Sequence, residues 1–298
     1  MDRLGRGREV GLSGVLPPWV CLDDQLIAWI KEDIGRGDVT TQGLLLDGVR
    51  SGRARWVAKT DGVIAGLPVL VRLYELLDPR VEVILHCCEG ENCPSGTVIA
   101  EMEGSLASLL MGERVTLNLV MRLSGIATMT RQYVNLLADL PVSLVDTRKT
   151  TPGLRVFEKY ASRIGGAINH RMGLDDAVML KDNHLAIMES VAAAVSQVRS
   201  HMPYPLSIEV EAETIAQVEA ALLAGADIVM LDNMPLERMR EAVHLVRKMS
   251  PAVKLEASGN ITLETIRSVA ETGVDYISTS ATITRSPWMD ISMKFETC

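Results

Sequence analysis

Hydrophobic and polar positions divide the 298-residue chain into two parts with different periodicities. In the first part, a helical pattern over 21–35 is followed by strand-like runs at 52–66 and 80–88, which are punctuated by Gly and Pro. Apolar residues spaced three and four apart across 104–140 predict a long helix, and we expect it to break near Ser124–Gly125. The first part therefore predicts mixed α and β structure.

From Pro141 onward, short apolar runs alternate with helical patterns. Six runs have the character of strands and occupy 142–146, 177–181, 206–211, 227–232, 252–258 and 274–280. Helical patterns join the last five of these runs and occupy 186–200, 214–225, 236–249 and 262–273. Connections of this length join parallel strands, and runs rich in Val, Ile, Leu and Met on both faces fit a sheet covered by helices.

Each apolar run ends in polar or charged residues, and parallel strands bring all such ends to one rim. In a βα barrel that rim carries the active site. A doubly wound open sheet is the alternative, but its catalytic groups gather at a single crevice. The pattern predicts the α/β class and favours a parallel βα barrel. Because only six strands are clear, the barrel is either incomplete or closed by the helices of 104–140.

The overall composition argues against two classes of binding partner, nucleic acids and membranes. The net charge of −8 argues against nucleic acid, which usually binds a basic domain. No apolar run approaches the roughly 20 residues that a membrane-spanning helix needs, so no membrane partner is expected. The first 20 residues lack an apolar secretory segment. We interpret residues 1–20 as a flexible leader and predict a cytoplasmic protein.

The five cysteines are odd in number and follow no disulfide framework, so we predict reduced thiols. The stretch HCCEGENC at 86–93 suggests a metal site at first sight. However, Cys87 and Cys88 are adjacent on a predicted strand and should point to opposite faces, and no paired CxxC motif exists. We therefore predict no zinc site there.

One segment of the chain is positively charged although the net charge of the whole chain is negative. Between Arg148 and Lys181 seven Lys and Arg residues stand against three acids. These charges flank the ends of apolar runs and show no helical spacing, which disfavours a solvated helix face. A positive segment inside a negative chain indicates a small anionic ligand held in a cleft.

The predicted rim combines two kinds of charged residue. Its cations follow the first two runs and are Arg148, Lys149, His170, Arg171 and Lys181. Glu211 and Asp232 oppose them, and two such acids can hold Mg²⁺ together with substrate oxygens. Backbone N–H groups at Ser258, Gly259 and Asn260, and in the loop around Ser280, offer a phosphate seat after the last strands. The rim thus predicts a polyanionic substrate with a divalent cation.

Each of these residues also has a structural interpretation. A lysine at a strand end can be an ion-pair partner or a Schiff-base residue, His170 can cap a turn, and Asp232 can cap a helix. Their joint placement on one rim favours a shared functional role.

Nine segments resemble, in order, the quinolinate phosphoribosyltransferase family. They are EDIGRGDVTT, RLSGIAT, DTRKTTPGLR, EKYASRIGGAINHR, LKDNH, IEVEAET, IVMLDNM, LEASGNIT and VDYIS. The resemblance runs from about Leu22 to the C-terminus. It implies an N-terminal α/β sandwich domain (21–117), an incomplete α/β barrel (118–285) and a C-terminal segment (286–298) that returns to the first domain. It also implies a homodimer with a shared active site, with a higher oligomer left open.

The family's reaction joins quinolinate to phosphoribosyl pyrophosphate and releases pyrophosphate and CO₂. By resemblance, the quinolinate carboxylates are bound by Arg122 of the neighbouring subunit and by Arg148, His170, Arg171 and Lys181. Lys149 lies between the two substrates, and Glu211 and Asp232 bind the ribose and Mg²⁺, directly or through water. The resemblance also assigns the 5′-phosphate to Ser258, Gly259, Asn260 and Ser280.

The chain departs from the family pattern at three positions where Gly is usual: Ala167, Asn260 and Ser280. The side chain at 280 could narrow the phosphate seat. Three other functions remain open on the sequence alone. They are a related pyrophosphorylase for another aromatic acid, a Schiff-base lyase using Lys149 or Lys181, and a non-catalytic sensor of phosphate ligands.

Overall fold

The structure is a computed structural model that describes residues 16–45 and 50–296. The predicted leader 1–20 and Cys298 lie largely or wholly outside these residues. The helices are α1 (Asp23–Ile34), α2 (Val39–Leu44), α3 (Leu67–Leu77), α4 (Leu106–Asn135), α5 (Arg155–Gly165), α6 (Asp182–Leu185), α7 (Val191–His201), α8 (Ile215–Leu223), α9 (Leu236–Met249), α10 (Ile266–Ala270) and α11 (Ala281–Thr284). The strands are β1 (Ser51–Ala58), β2 (Gly62–Val63), β3 (Glu82–Leu85), β4 (Asn92–Cys93), β5 (Val98–Ser105), β6 (Ser143–Val145), β7 (Val178–Leu180), β8 (Ile208–Ala212), β9 (Ile228–Asp232), β10 (Lys254–Ser258), β11 (Tyr276–Ser278) and β12 (Ile291–Phe295).

The chain forms two compact units. The first comprises Met1–Met129, Val156–Gly165 and Ser286–Cys298, as far as these ranges are described, and the second comprises Thr130–Arg155 and Gly166–Arg285. In the first unit, antiparallel strands form a sheet in the order β12-β1-β5-β3. Alternate residues of β1, among them the fully buried Trp56, pack into a hydrophobic core with the apolar side of α3.

The first unit contains a buried carboxylate that joins three of its segments. Glu89 accepts backbone N–H groups from Gly66, at 2.6 Å, and from Leu67, at 3.0 Å, at the start of α3. It also accepts the Tyr160 hydroxyl from α5. Burial raises the pKa of Glu89 to about 7, although these hydrogen bonds act in the opposite direction. The first turn of α3 has no other side-chain cap, so Glu89 satisfies donors that the helix cannot.

Helix α4 is continuous, so the predicted break near Ser124–Gly125 is wrong. The chain requires glycine at 125 for a different reason, because an added Cβ would collide with the backbone oxygen of Pro287. The Ser124 hydroxyl, for its part, bonds the backbone of Ala65. The small residues therefore allow close packing within the first unit and leave the helical hydrogen bonds intact.

In the second unit, six parallel strands form a sheet in the order β6-β11-β10-β9-β8-β7. They correspond to the six apolar runs found in the sequence, and α7 to α10 correspond to the four helical patterns. The strands are buried along most of their length, as expected for a parallel sheet with covered faces. The predicted parallel βα architecture is confirmed.

The pairing of the two edge strands of this sheet, β6 and β7, shows how far the barrel closes. Strand β6 pairs with β11, and Val145 makes an isolated parallel bridge to Ile168 on its other side. Strand β7 pairs only with β8 among the described residues. The sheet therefore curls back on itself but stays open between Ile168 and β7. The structure is an incomplete barrel.

Helix α5 lies within the positive segment between Arg148 and Lys181, so the prediction that this segment has no helical spacing is wrong for 155–165. The helix is instead buried on most sides, and its Glu158 and Lys159 side chains are inaccessible to solvent. Charged residues that are paired inside the protein give the same sequence pattern as a surface loop.

Two further expectations concern membranes and cysteines. Among the described residues no helix is long and apolar enough to cross a membrane. Cys21, Cys87, Cys88 and Cys93, the cysteines among the described residues, are free thiols. Cys87 is buried and Cys88 exposed, so the adjacent pair does point to opposite sides, although β3 ends before it.

Candidate active site

The carboxyl ends of the six parallel strands carry the predicted site residues to one rim. Asp146 to Lys149 follow β6, and Lys181 follows β7. Glu211 and Asp232 lie at the ends of β8 and β9, and the Ser258–Asn260 loop follows β10. Because the strands are parallel and in register, with Ser258 opposite Asp232, these side chains lie around one opening.

A cleft of about 620 Å³ opens at this rim, a size suited to small organic ligands. It lies entirely in the second unit. The predicted site residues that line it are Arg148, Lys149, His170, Arg171, Lys181, Glu211, Asp232, Ser258, Gly259, Asn260 and Ser280. Polar atoms make up most of its lining, so the cleft is built for charged groups rather than for an apolar molecule.

The cations of the first two strand ends are available for ligands. Within the described part of the chain, the Arg148 guanidinium and the Lys149 ammonium make no side-chain hydrogen bond, and Lys149 is exposed. The Arg171 guanidinium donates one bond, of 2.8 Å, to the Ala177 carbonyl. Burial lowers the pKa of Arg171, and the charge of Arg148 lowers it further. Such mutual repulsion favours a bound anion between the two arginines.

The acidic side of the cleft is partly paired. The Lys181 ammonium lies 3.0 Å from the Glu211 carboxylate. The Asp232 carboxylate accepts the Asn233 side-chain amide at 2.9 Å, and each acid keeps an oxygen that can take another partner. Carboxylate oxygens are the ligands that a hard cation prefers, so the donor set fits Mg²⁺.

The loop after β10 is shaped for close backbone approach. Gly259 has φ 101°, and a Cβ there would collide with the side chain of Asn233. Asn260 adopts φ 52°, a left-handed conformation that asparagine tolerates, and donates to the Asn233 side chain at 3.0 Å. Ser280 has an ordinary φ of −85° and lines the cleft. The side chain at 280 therefore causes no backbone strain, and the left-handed conformation at 260 is one that asparagine adopts more readily than most residues.

Beneath the rim, buried acids surround His170. Its Nε2 lies 3.1 Å from Glu209 and 3.7 Å from Glu256, and both acids are 3% exposed. Burial, and next the charge of Glu209, raise the pKa of Glu256 to about 7. One ligand atom from each of the three residues lies within 4.8 Å of the others. Asp146, which is fully buried, accepts the His170 N–H at 2.8 Å.

Arg122 does not lie with the other predicted residues. It belongs to α4 in the first unit, where its guanidinium bonds the buried Glu158 at 2.7 Å and the Ser286 hydroxyl at 2.8 Å. The cleft is lined by residues of the second unit alone. The assignment of Arg122 to a site in the neighbouring subunit stays a prediction.

The cleft also contains a cation that sequence reasoning missed. Arg285 lines it from the residue after α11. The sequence signal was the single arginine that ends the segment ATITR, which follows the polar end of the last strand by only a few residues. Arg285 lies beyond a helix rather than at a strand end, so the rule applied to the other strands did not include it.

Comparisons with known proteins agree with this geometry. The family profile described as the C-terminal domain of quinolinate phosphoribosyl transferase matches residues 126–294, and that of the N-terminal domain matches 38–124. A probable carboxylating nicotinate-nucleotide pyrophosphorylase from Synechocystis sp. is 57% identical over 279 residues, covering 94% of each chain. One from Bacillus subtilis is 48% identical over 88% of this chain and 89% of its own. The crystal structure of NadC from Streptococcus pyogenes superimposes with a TM-score of 0.88 at 41% identity, over 93% of this chain and 97% of that one.

Proposed function

Because the chain belongs to the quinolinate phosphoribosyltransferase family, we propose that it converts quinolinate and phosphoribosyl pyrophosphate into nicotinate mononucleotide, pyrophosphate and CO₂. This reaction supplies the pyridine ring for NAD biosynthesis. One observation carries the proposal. Cations that follow the two edge strands, β6 and β7, and acids from β8 and β9 line the same cleft, where two highly charged anions can meet.

Quinolinate is a dicarboxylate, and the positive side of the cleft matches it. The Arg148 guanidinium makes no side-chain hydrogen bond to the described residues, and the Arg171 guanidinium makes one. Each can therefore hold a carboxylate at two points. Lys181 adds a third charge and is released from Glu211 when a stronger anion arrives. A monocarboxylate would leave part of this positive set unpaired, which favours a dicarboxylate substrate.

Lys149 serves the transfer itself. Its side chain lines the cleft, and its ammonium makes no hydrogen bond or ion pair to the described residues. There it offsets the negative charge that grows on the departing pyrophosphate as the ring nitrogen attacks the ribose carbon. No side chain needs to act as a nucleophile, because positioning and fixed charge lower the barrier.

Glu211 and Asp232 would bind the ribose hydroxyls and would hold the Mg²⁺ that accompanies phosphoribosyl pyrophosphate, directly or through water. When bound, the cation neutralises pyrophosphate charge. The Ser258–Asn260 loop and Ser280 receive the 5′-phosphate. After transfer, the pyridinium ring stabilises the electron pair left at C2 when the adjacent carboxylate departs as CO₂, and C2 then takes a proton from water.

The proposal is tested by incubating the purified protein with phosphoribosyl pyrophosphate, Mg²⁺ and quinolinate labelled in the 2-carboxylate. We expect labelled CO₂, pyrophosphate and nicotinate mononucleotide in equal amounts. Nicotinate, which lacks the second carboxylate, is the control substrate and should be turned over far more slowly. Turnover of nicotinate with none of quinolinate would refute the substrate assignment.

Asp232→Asn should raise the Mg²⁺ concentration needed for half-maximal activity by at least about tenfold, because the amide is a weaker ligand for a hard cation. A Mn²⁺ titration followed by electron paramagnetic resonance, with phosphoribosyl pyrophosphate present, gives the affinity without turnover. Glu213→Gln is the matched control, since Glu213 is exposed just beyond the same strand end as Glu211. Unchanged Mn²⁺ affinity in Asp232→Asn would exclude Asp232 from the metal site.

We further propose a homodimer in which Arg122 completes the partner's site. Replacing Arg122 by Ala would remove a partner from the buried Glu158, so Arg122→Lys is the better probe because it keeps the charge but loses the two-point geometry. A mixture of inactive Arg122→Lys and Lys149→Ala chains should recover about a quarter of wild-type activity, since random dimers form one intact site in half of the molecules. Mixtures without recovery would contradict a shared site. A cytoplasmic location remains a prediction.

A further inference from the structure

Both ring nitrogens of His170 are engaged by the protein. Nδ1 accepts the backbone N–H of Arg171 at 2.7 Å, and Nε2 lies 3.1 Å from a carboxylate oxygen of Glu209. A nitrogen that accepts a hydrogen bond carries no proton, so the ring proton is on Nε2 and is donated to Glu209. The imidazole is therefore directed toward the buried acids as well as toward its own backbone.

The two acids beneath His170 are costly to bury. Glu209 and Glu256 are each 3% exposed, and one oxygen of each has no hydrogen-bond partner among the described residues. A carboxyl group that is buried and incompletely bonded destabilises a fold unless another requirement keeps it there. Packing alone does not account for two such groups side by side.

We infer that Glu209 is a positioning residue for the proposed reaction, which holds His170 as its Nε2–H tautomer and thereby places Arg171 in the cleft. The inference rests on the proposed function for its catalytic meaning. Glu209 is the direct partner of the ring, whereas the nearest Glu256 oxygen lies 3.7 Å from Nε2, beyond hydrogen-bond distance.

The contacts form a continuous path from the acids to the cleft. Asp146 fixes the preceding backbone, accepting the His170 N–H at 2.8 Å and the Asn169 side-chain amide at 2.6 Å. The His170 ring then fixes the Arg171 N–H, and the Arg171 guanidinium is braced on the Ala177 carbonyl at 2.8 Å. With the opposite tautomer, Nδ1–H would face the Arg171 N–H, and two donors would repel each other. Loss of the Nε2 acceptor therefore displaces Arg171.

The tautomer can be measured without any substrate. The chain has five histidines, so imidazole ¹⁵N labelling gives few signals, and those of His170 are identified by their loss in His170→Gln. We expect wild-type His170 to be protonated on Nε2 only, and this pattern to change in Glu209→Ala but not in Glu219→Ala, an exposed control on α8. A ring protonated on Nδ1, or signals unchanged by Glu209→Ala, would overturn the inference. So would loss of the Nε2 proton on addition of one equivalent of Zn²⁺, because the three residues would then be a metal site.

Kinetics then test the catalytic meaning. Glu209→Ala should raise the KM for quinolinate about ten- to hundredfold through the displaced Arg171, with little change in the KM for phosphoribosyl pyrophosphate. Glu209→Gln keeps an acceptor oxygen and should restore most of the loss, and it serves as the test variant if the alanine protein does not fold. Equal effects on both KM values, or no rescue by Gln, would indicate a general structural role and overturn the inference. If wild-type protein fails to use quinolinate, the proposed function fails while the tautomer result stands on its own.

Discussion

Lys149→Ala should lower kcat by about 10²- to 10³-fold, the effect of removing one preorganised charge from a developing anion. Quinolinate affinity should change by no more than about twofold, because Lys149 acts on the departing pyrophosphate rather than on the bound ring. Single-turnover measurements with saturating substrates give the rate, and equilibrium dialysis with labelled quinolinate gives the affinity.

Lys248→Ala is the matched control, since that lysine is in the last turn of α9, outside the cleft lining. It should leave both quantities unchanged. Wild-type turnover in Lys149→Ala would remove Lys149 from the mechanism. A weakened quinolinate affinity with unchanged kcat would instead make it one more carboxylate ligand.

Glu89→Ala should destabilise the first unit by about 3–4 kcal/mol, because the Gly66 and Leu67 N–H groups and the Tyr160 hydroxyl would lose their buried acceptor. Urea unfolding followed by tryptophan fluorescence reports on this unit, since all four tryptophans belong to it. Glu89→Gln, which keeps one acceptor oxygen, should cost only about 1–2 kcal/mol.

The exposed Glu75→Ala on α3 is the control for loss of a carboxylate and should change stability by less than about 1 kcal/mol, since its ion pair with Arg72 is at the surface. If Glu89→Ala unfolds at the wild-type urea concentration, the three donors must find other partners. In that case the account of how α3 and α5 are joined within the first unit is wrong.

The alternation of apolar strand-like runs with helical patterns was sufficient to predict the parallel βα barrel. Strand β9 is short, apolar on both faces and flanked by turns, and the polar ends of β9 and β10 must share a rim once the sheet is parallel. The placement of Asp232 and Ser258 followed from that rule alone. Glycine was a weaker guide, because Gly125 in α4 permits a close approach and does not break the helix.

Side chains that point into the protein could not be predicted. Glutamate is usually exposed at the surface, and only the folded structure shows that Glu89, Glu158 and Glu209 are buried. The partner of Arg122 is in another helix, 36 residues away, so no local pattern indicates it. His170 lines the cleft, and its role toward a substrate carboxylate stays a prediction, but the contact of its Nε2 with the buried Glu209 could not be predicted from the sequence.

The central claim is that one cleft holds both anions, with cations on one side and acids on the other. Its most direct test is a crystal structure with phosphoribosyl pyrophosphate, Mg²⁺ and benzene-1,2-dicarboxylate, which keeps both carboxylates of quinolinate but has no ring nitrogen to react. We expect the dicarboxylate against Arg148 and Arg171, and the pyrophosphate between Lys149 and Asp232. A dicarboxylate bound outside this cleft, or the two ligands in separate cavities, would contradict the account.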